Sequence, residues 1–268
     1  MSLLKYVGGK SRLAKTIVPR IPEHSCYCEV FAGAAWILFK KEESKVEIIN
    51  DINSELVTLY RVVKNHLDEF VRYFRWILVS REEFERFKAQ GPEDLTDIQR
   101  AVRCYYLIRA GYDGSLVNPR FLITPRSRPQ FNLLRIEENL TEAHLRLSRV
   151  YIENKPYADF IARYDNPHTF FYVDPPYFNY ENCYGAGIFF RDDFRKLRDI
   201  LKGVQGKFMM SINDVPEIRE LFKDFNIEEV STNYTLSGKW KAARELLVTN
   251  YVPVLNDEAR FDVDGGGK

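Results

Sequence analysis

Cysteine is scarce, with four in 268 residues. Cys26, Cys28, Cys104 and Cys183 form no C-x-x-C pair and have no histidines at ligand spacing, which argues against a disulfide framework and against a zinc site. No apolar run approaches the roughly 20 residues that cross a bilayer. Residues 1–10 also lack the apolar stretch of a secretory leader. A soluble, cytoplasmic chain is therefore expected, with no metal and no membrane partner. Net charge is nearly absent too. With 39 basic and 38 acidic residues the balance is +1, so the total points to no polyanionic partner.

Apolar residues make up 45% of the chain and charged residues 29%, which excludes a disordered or collagen-like polymer. The length corresponds to one large domain or about two small ones. Charge is unevenly spread. Residues 1–20 carry Lys5, Lys10, Arg12, Lys15 and Arg20 with no acid, and 115–136 carry Arg120, Arg126, Arg128 and Arg135, again with none. Such segments suit contact with phosphates, although two solvated basic loops explain the charges equally simply.

Short runs rich in β-branched and aromatic residues recur at 26–31, 46–49, 150–152, Thr169–Val173, 207–212, 227–230 and 246–252. They are bounded by Gly, Pro, Asn or Asp and read as buried strands. Helical patterns at 36–43, 191–202 and 216–223 alternate with them, which predicts an α/β fold, a doubly wound and mainly parallel sheet. The alternation stops between 54 and 149. There the pattern is helical: a long amphipathic run at 56–79, a capping-box sequence Ser80-Arg81-Glu82-Glu83, and a helix at 96–110 that Gly111 would end. An insertion of this size predicts a second lobe. Residues 1–55 and 149–255 then form one domain and 56–148 a helical insertion, with 256–268 a disordered tail ending Gly-Gly-Gly-Lys.

The sharpest motif is Asp174-Pro175-Pro176-Tyr177, directly after an apolar strand. Ligands of open α/β sheets bind beyond the carboxyl ends of strands. Two prolines remove two N–H donors, so a carboxylate and carbonyls are presented without competing donors. That suits a ligand that itself donates, such as an exocyclic amino group, and Tyr177 offers a face for a ring to stack on. The plain alternative is a strand-ending turn. A second candidate is the turn from Glu29 through Phe31 and Gly33 to Ala35, whose small residues let a ligand approach the backbone. It lacks the G-x-G-x-x-G spacing of phosphate cradles, so a neutral or cationic ligand fits better, and Glu29 would favour positive charge. Asp51 follows the second strand, where ribose hydroxyls are bound in this architecture. Asp51 and Asn53 could equally cap the next helix. Tyr6, Gly8, Gly9 and Lys10 make a third candidate, a tight glycine loop flanked by an aromatic and a lysine.

Taken in order, Tyr6–Lys10, Glu29–Gly33, Asn50–Asn53 and Asp174–Tyr177 resemble the Dam-type, D12 class of N6-adenine DNA methyltransferases. The resemblance runs over most of residues 5–252. Weaker matches are Arg109 through Gly114, with Asp113 where relatives have asparagine, then Gln130-Phe131-Asn132, Ser211 through Asp214, and Glu245-Leu246-Leu247. It implies a Rossmann-like class I methyltransferase domain with an inserted, mostly helical target-recognition domain. The implied donor is S-adenosylmethionine, contacted by Tyr6, Gly8, Gly9, Lys10, Glu29, Phe31, Gly33, Asp51 and Asp174. The implied acceptor is N6 of an adenine flipped out of duplex DNA, with Asp174, Pro175, Pro176 and Tyr177 at the chemistry. Arg109, Tyr112, Arg120, Arg126 and Arg128 would contact DNA. A monomer located with the nucleoid is expected. Two other readings stay open: a catalytically silent DNA-binding relic, and an amino-methyltransferase acting on cytosine N4 or RNA.

Overall fold

The computed structural model describes residues 3–4, 10, 13–112, 114–123, 132, 135–185, 187–236 and 239–254. Tyr6, Gly8, Gly9, Asp113, Arg126, Arg128, Gln130, Phe131 and the tail at 256–268 lie outside them.

Seven strands make one sheet: β1 (Cys26–Glu29), β2 (Val46–Asn50), β3 (Val150–Glu153), β4 (Thr169–Val173), β5 (Lys207–Asn213), β6 (Asn226–Leu236) and β7 (Lys239–Thr249), in the order β3-β2-β1-β4-β5-β7-β6. The first five run parallel to one another, and β7 runs antiparallel between β5 and β6. The chain is thus a doubly wound, mainly parallel α/β fold. Strand order reverses between β1 and β4, which opens a crevice at the carboxyl ends of these two strands.

Side chains alternate across each strand with a period of two, so each central strand feeds both faces. In β4, Phe170 and Tyr172 join one buried cluster, and Phe171 and Val173 the other. The second face is covered by α7 (Tyr157–Tyr164), α8 (Asp193–Gly203) and α9 (Pro216–Leu221) through Phe160, Ile161, Phe194, Leu197, Leu201 and Ile218. The first face is covered by α1 (Ala14–Ile17) and by the inserted helices α2 (Ser54–Asn65), α3 (Leu67–Phe74), α4 (Arg81–Ala89), α5 (Asp97–Ala110) and α6 (Ile136–Leu147). Their buried residues and those of the sheet form one continuous core. Polar ties reinforce it. Arg100 Nε of α5 donates to Glu55 Oε1 of α2 at 3.0 Å, and Arg146 Nη2 of α6 donates to Glu47 Oε1 of β2 at 2.9 Å.

Several elements differ from their sequence patterns. Residues 36–43 form turns and irregular chain, not a helix; the Leu38 amide is held by Glu29 Oε2 at 3.2 Å, while the Phe39 and Lys41 amides reach the Ala35 and Ile37 carbonyls. The run at 56–79 breaks at His66 into α2 and α3. Helix α7 has no counterpart among the expected helices, and β6 and β7 are each 11 residues, longer than their apolar cores. Gly111 is not a left-handed cap. Its φ is −78°, and a Cβ there would lie 2.6 Å from the Leu107 carbonyl oxygen. No described helix is long and apolar enough to cross a membrane.

Candidate active site

A cavity of about 470 Å3 lies along the carboxyl ends of β1, β2 and β4. Its wall takes in Lys10, Glu29 to Ala34, Asn50 to Asn53, Lys155 to Tyr157, Asp174, Pro176 and the segment around Phe189. Of the residues expected at a site, the structure brings Lys10, Glu29, Phe31, Gly33, Asp51, Asp174 and Pro176 to this one cavity. Pro175 and Tyr177 are adjacent in sequence but not part of its wall. Tyr6, Gly8 and Gly9 lie outside the described residues.

The glycine turn is built by its backbone. Gly33 and Ala35 both have φ of 49°, in the left-handed region that Gly adopts freely and alanine rarely. Asp51 braces this turn: its Oδ2 accepts the Gly33 amide at 2.8 Å, while Oδ1 accepts the Asn53 amide at 2.8 Å. The helix cap itself is Asn53, whose side chain accepts the Glu55 amide at 3.0 Å. The cap of this helix thus falls to Asn53, while Asp51 braces the glycine turn. Burial raises the Asp51 pKa, and the backbone amides of Asn53, Gly33 and Ile52 pull the other way.

Glu29 is 2% exposed at the floor of the cavity. Burial pushes its pKa up to about 8, against hydrogen bonds from Tyr27 and Leu38 that favour the charged form. At one side of the cavity Phe31, Tyr157 and Phe189 form an aromatic triangle, with ring centroids 5.6 Å and 5.9 Å from Phe31 and 5.9 Å between the other two. Tyr157 in turn donates to Asp193 at 3.1 Å, and Asp193 Oδ2 accepts the Phe190 amide at 2.8 Å.

At the opposite end stands Asp174. Ser211 of β5 donates to its Oδ1 at 3.1 Å and is itself bonded to the Tyr172 hydroxyl at 2.7 Å. Lys10 Nζ lies 3.2 Å from Asp174 Oδ1 and 3.0 Å from Glu245 Oε2. Tyr177 receives a hydrogen bond from Lys10 and donates one to Glu245. Burial pushes the Asp174 carboxyl up to about 6; Lys10 and Ser211 oppose this and the Glu245 charge adds to it. A half-buried carboxylate whose Oδ1 is held by Ser211 and Lys10 suits an incoming N–H donor.

Glu245, Ser211, Tyr157 and Phe189 were not singled out as site residues. A carboxylate opening the apolar stretch Leu246-Leu247-Val248 was the available signal for the first, since a buried charge needs a partner. Among the described residues no group of three or more His, Cys, Asp or Glu could hold a metal ion.

The expected DNA-contacting residues sit elsewhere, at the end of α5. Gly111 bridges Phe121 in antiparallel fashion, and the Tyr112 amide donates to the Arg120 carbonyl at 2.8 Å. This pairing sets Tyr112 and Arg120 opposite one another, both exposed. Arg109 is half-buried, and its Nε is shielded without a hydrogen-bond partner among the described residues. Arg126 and Arg128 lie outside the described residues.

Comparison with known proteins bears on this arrangement. The profile of D12 class N6 adenine-specific DNA methyltransferases matches residues 6–236. The DNA adenine methylase of Escherichia coli K12 is 28% identical over 92% of this chain and 94% of its own. The Type II methyltransferase M1.LlaDCHI of Lactococcus lactis is 27% identical with the same coverage. Among solved structures, a SAM-dependent O-methyltransferase of Thermotoga maritima aligns over 91% of this chain and 66% of its own, at 10% identity and a TM-score of 0.38. The profile match alone spans most of the sequence, and the chain belongs to the D12 class of N6 adenine-specific DNA methyltransferases.

Proposed function

We propose that this protein transfers a methyl group from S-adenosylmethionine to N6 of an adenine flipped out of duplex DNA. The observation that carries this reading is the single cavity joining Asp51 and the Gly33 turn to Asp174 and Pro176, in a chain of this family. The donor set fits the methyl donor. The volume is within the range that encloses a small ligand. Asp51 stands where ribose hydroxyls bind, and Phe31, Tyr157 and Phe189 offer apolar faces to a purine. The Asp174 carboxylate, in place of a phosphate cradle, suits a cation, and Glu29 adds negative charge only above about pH 8. When bound, S-adenosylmethionine supplies a methyl group on a positively charged sulfur.

The residues of the chain do the rest. Adenine N6 is a weak nucleophile because its lone pair is delocalised into the ring. As the nitrogen attacks, it gains positive charge, so acceptors aimed at its hydrogens bind the transition state better than the ground state. Asp174 and the Pro175 carbonyl are assigned as these acceptors, with Ser211 fixing the carboxylate. Tyr177 stacks on the base. A single in-line displacement, in which the nitrogen–carbon bond forms as the carbon–sulfur bond breaks and the nitrogen then gives up one proton, would require no cysteine nucleophile. A paired amino group cannot reach Asp174, so the base must leave the stack, which costs a few kcal/mol.

The helical insertion at 56–148 is assigned to DNA recognition. Tyr112 and Arg120 are its exposed contacts and Arg126 and Arg128 further ones; the part-shielded Arg109 is assigned to shaping this surface. A DNA-modifying role puts the protein with the nucleoid. The test is transfer of labelled methyl to unmethylated DNA by the wild type and by Asp174→Ala. The variant is expected to lose at least about 100-fold in rate while still binding duplex. Equal transfer by both would remove Asp174 from the chemistry, and no transfer by either, with duplex bound, would favour the silent relic.

A further inference from the structure

Glu245 is 1% exposed, on β7 and 235 residues from its partner Lys10. Its two oxygens are divided: Oε2 accepts from Lys10 Nζ at 3.0 Å, and Oε1 accepts from the Tyr177 hydroxyl. Lys10, 4% exposed, is shared between this carboxylate and Asp174. Three buried or half-buried charges and one hydroxyl are thus linked at the assigned amino-group acceptor. Burying a carboxylate is costly unless it is paired and hydrogen-bonded. A position whose neighbours are Leu246, Leu247 and Val248 would be filled more cheaply by an apolar residue if only packing were needed.

We propose that Glu245 is a positioning residue of the methyl-transfer site: its carboxylate holds Tyr177 by the hydroxyl and takes a share of the Lys10 charge, leaving Asp174 an acceptor for the incoming amino group. The inference rests on the function proposed above. Were Glu245 uncharged, the Lys10 charge would be balanced more fully by Asp174, 3.2 Å away. The carboxylate would then be occupied by an ammonium group at the moment a weaker, neutral donor must displace it. Tyr177 would also lose the acceptor that fixes its ring.

The charged and titratable groups around Asp174 come from every neighbouring element: Lys10 ahead of α1, Glu29 of β1, Tyr172 of β4, Tyr184 of the turn after it, and Glu245 of β7, with Ser211 of β5 as a hydrogen-bond donor. Of these, Glu245 and Lys10 act on Asp174 in opposite directions. Removing the Glu245 charge therefore lowers the pH at which Asp174 ionises, both directly and by freeing Lys10 to pair with it. A residue that merely fills space would not move that pH.

The experiment compares wild type, Glu245→Gln and Tyr177→Phe in methyl transfer to duplex DNA, following kcat/KM against pH. The Glu245→Gln variant is expected to lose about 10- to 100-fold in kcat, the usual scale for a residue that orients a reacting one. Binding of S-adenosylmethionine and duplex should stay near wild type, and the acid limb should shift to lower pH. Wild-type kcat with an unmoved acid limb would overturn the proposal, as would a loss confined to cofactor binding. If Glu245→Gln does not fold, Tyr177→Phe carries the test. It removes only the hydroxyl that Glu245 holds, and unaltered transfer by it would equally overturn the proposal. Active wild type with unaffected variants sinks this inference alone, whereas inactive wild type sinks the function beneath it.

Discussion

The hydroxyl of Ser211 on β5 and the carboxylate of Asp174, the residue that follows the adjacent parallel strand β4, meet at 3.1 Å. The contact fixes one oxygen of the carboxylate, the same Oδ1 that Lys10 approaches. It also ties the pKa of Asp174, about 6, to a defined geometry rather than to a mobile side chain.

The first prediction concerns pH. An acceptor carboxylate works only when ionised, so transfer should fall as pH drops through about 6 and be flat above it. The profile of kcat/KM reports the free enzyme. An acid limb near the ordinary carboxylate range of about 4 would contradict the burial of Asp174.

Glu29 gives the second. Its folded pKa, about 8, lies above its unfolded value. Between the two, the folded state holds a proton that the unfolded chain has released, so stability is highest below the unfolded pKa and falls as pH rises toward 8. Glu29→Gln cannot lose that proton. Urea unfolding at pH 5 and pH 8 should show wild type losing stability relative to Glu29→Gln as pH rises, and parallel behaviour would refute a proton-holding Glu29.

The DNA-facing assignment is tested by salt. Arg120 is exposed and set opposite Tyr112. If it contacts phosphate, Arg120→Ala should weaken duplex binding across sequences and reduce the slope of log K against log salt by about 1. An unchanged slope would remove Arg120 from the interface.

Packing of the insertion yields a stability prediction. Phe70 of α3 is fully buried, with its ring centroid 5.2 Å from Phe74 and 5.6 Å from Tyr105 of α5. Phe70→Ala should cost about 3–5 kcal/mol, seen as a lower Tm. A loss below about 1 kcal/mol would be at odds with a well-packed core.

The sheet was legible because its strands are apolar, short and punctuated. The end of a strand was legible as a site because position in this architecture constrains ligand placement. Asp51, Gly33 and Asp174 come together for that reason alone: each follows a strand that is central in the sheet. Glu245 could not be read in the same way. Its link to Lys10 depends on β7 lying beside β5, a pairing across most of the chain that no local pattern encodes. Residues 36–43 carry helical periodicity yet form only turns and irregular chain, with the Leu38 amide held by the buried Glu29. Gly111 sits where a helix-ending glycine is expected, but the Leu107 carbonyl is what excludes a side chain there.

The most direct test of the central claim is nucleoside analysis of unmethylated duplex DNA after incubation with the protein and S-adenosylmethionine. The account predicts N6-methyldeoxyadenosine as the methylated product, confined on sequencing to one recurrent short motif and missing with Asp174→Ala. N4-methyldeoxycytidine, or no methylated nucleoside despite bound S-adenosylmethionine and duplex, would contradict it.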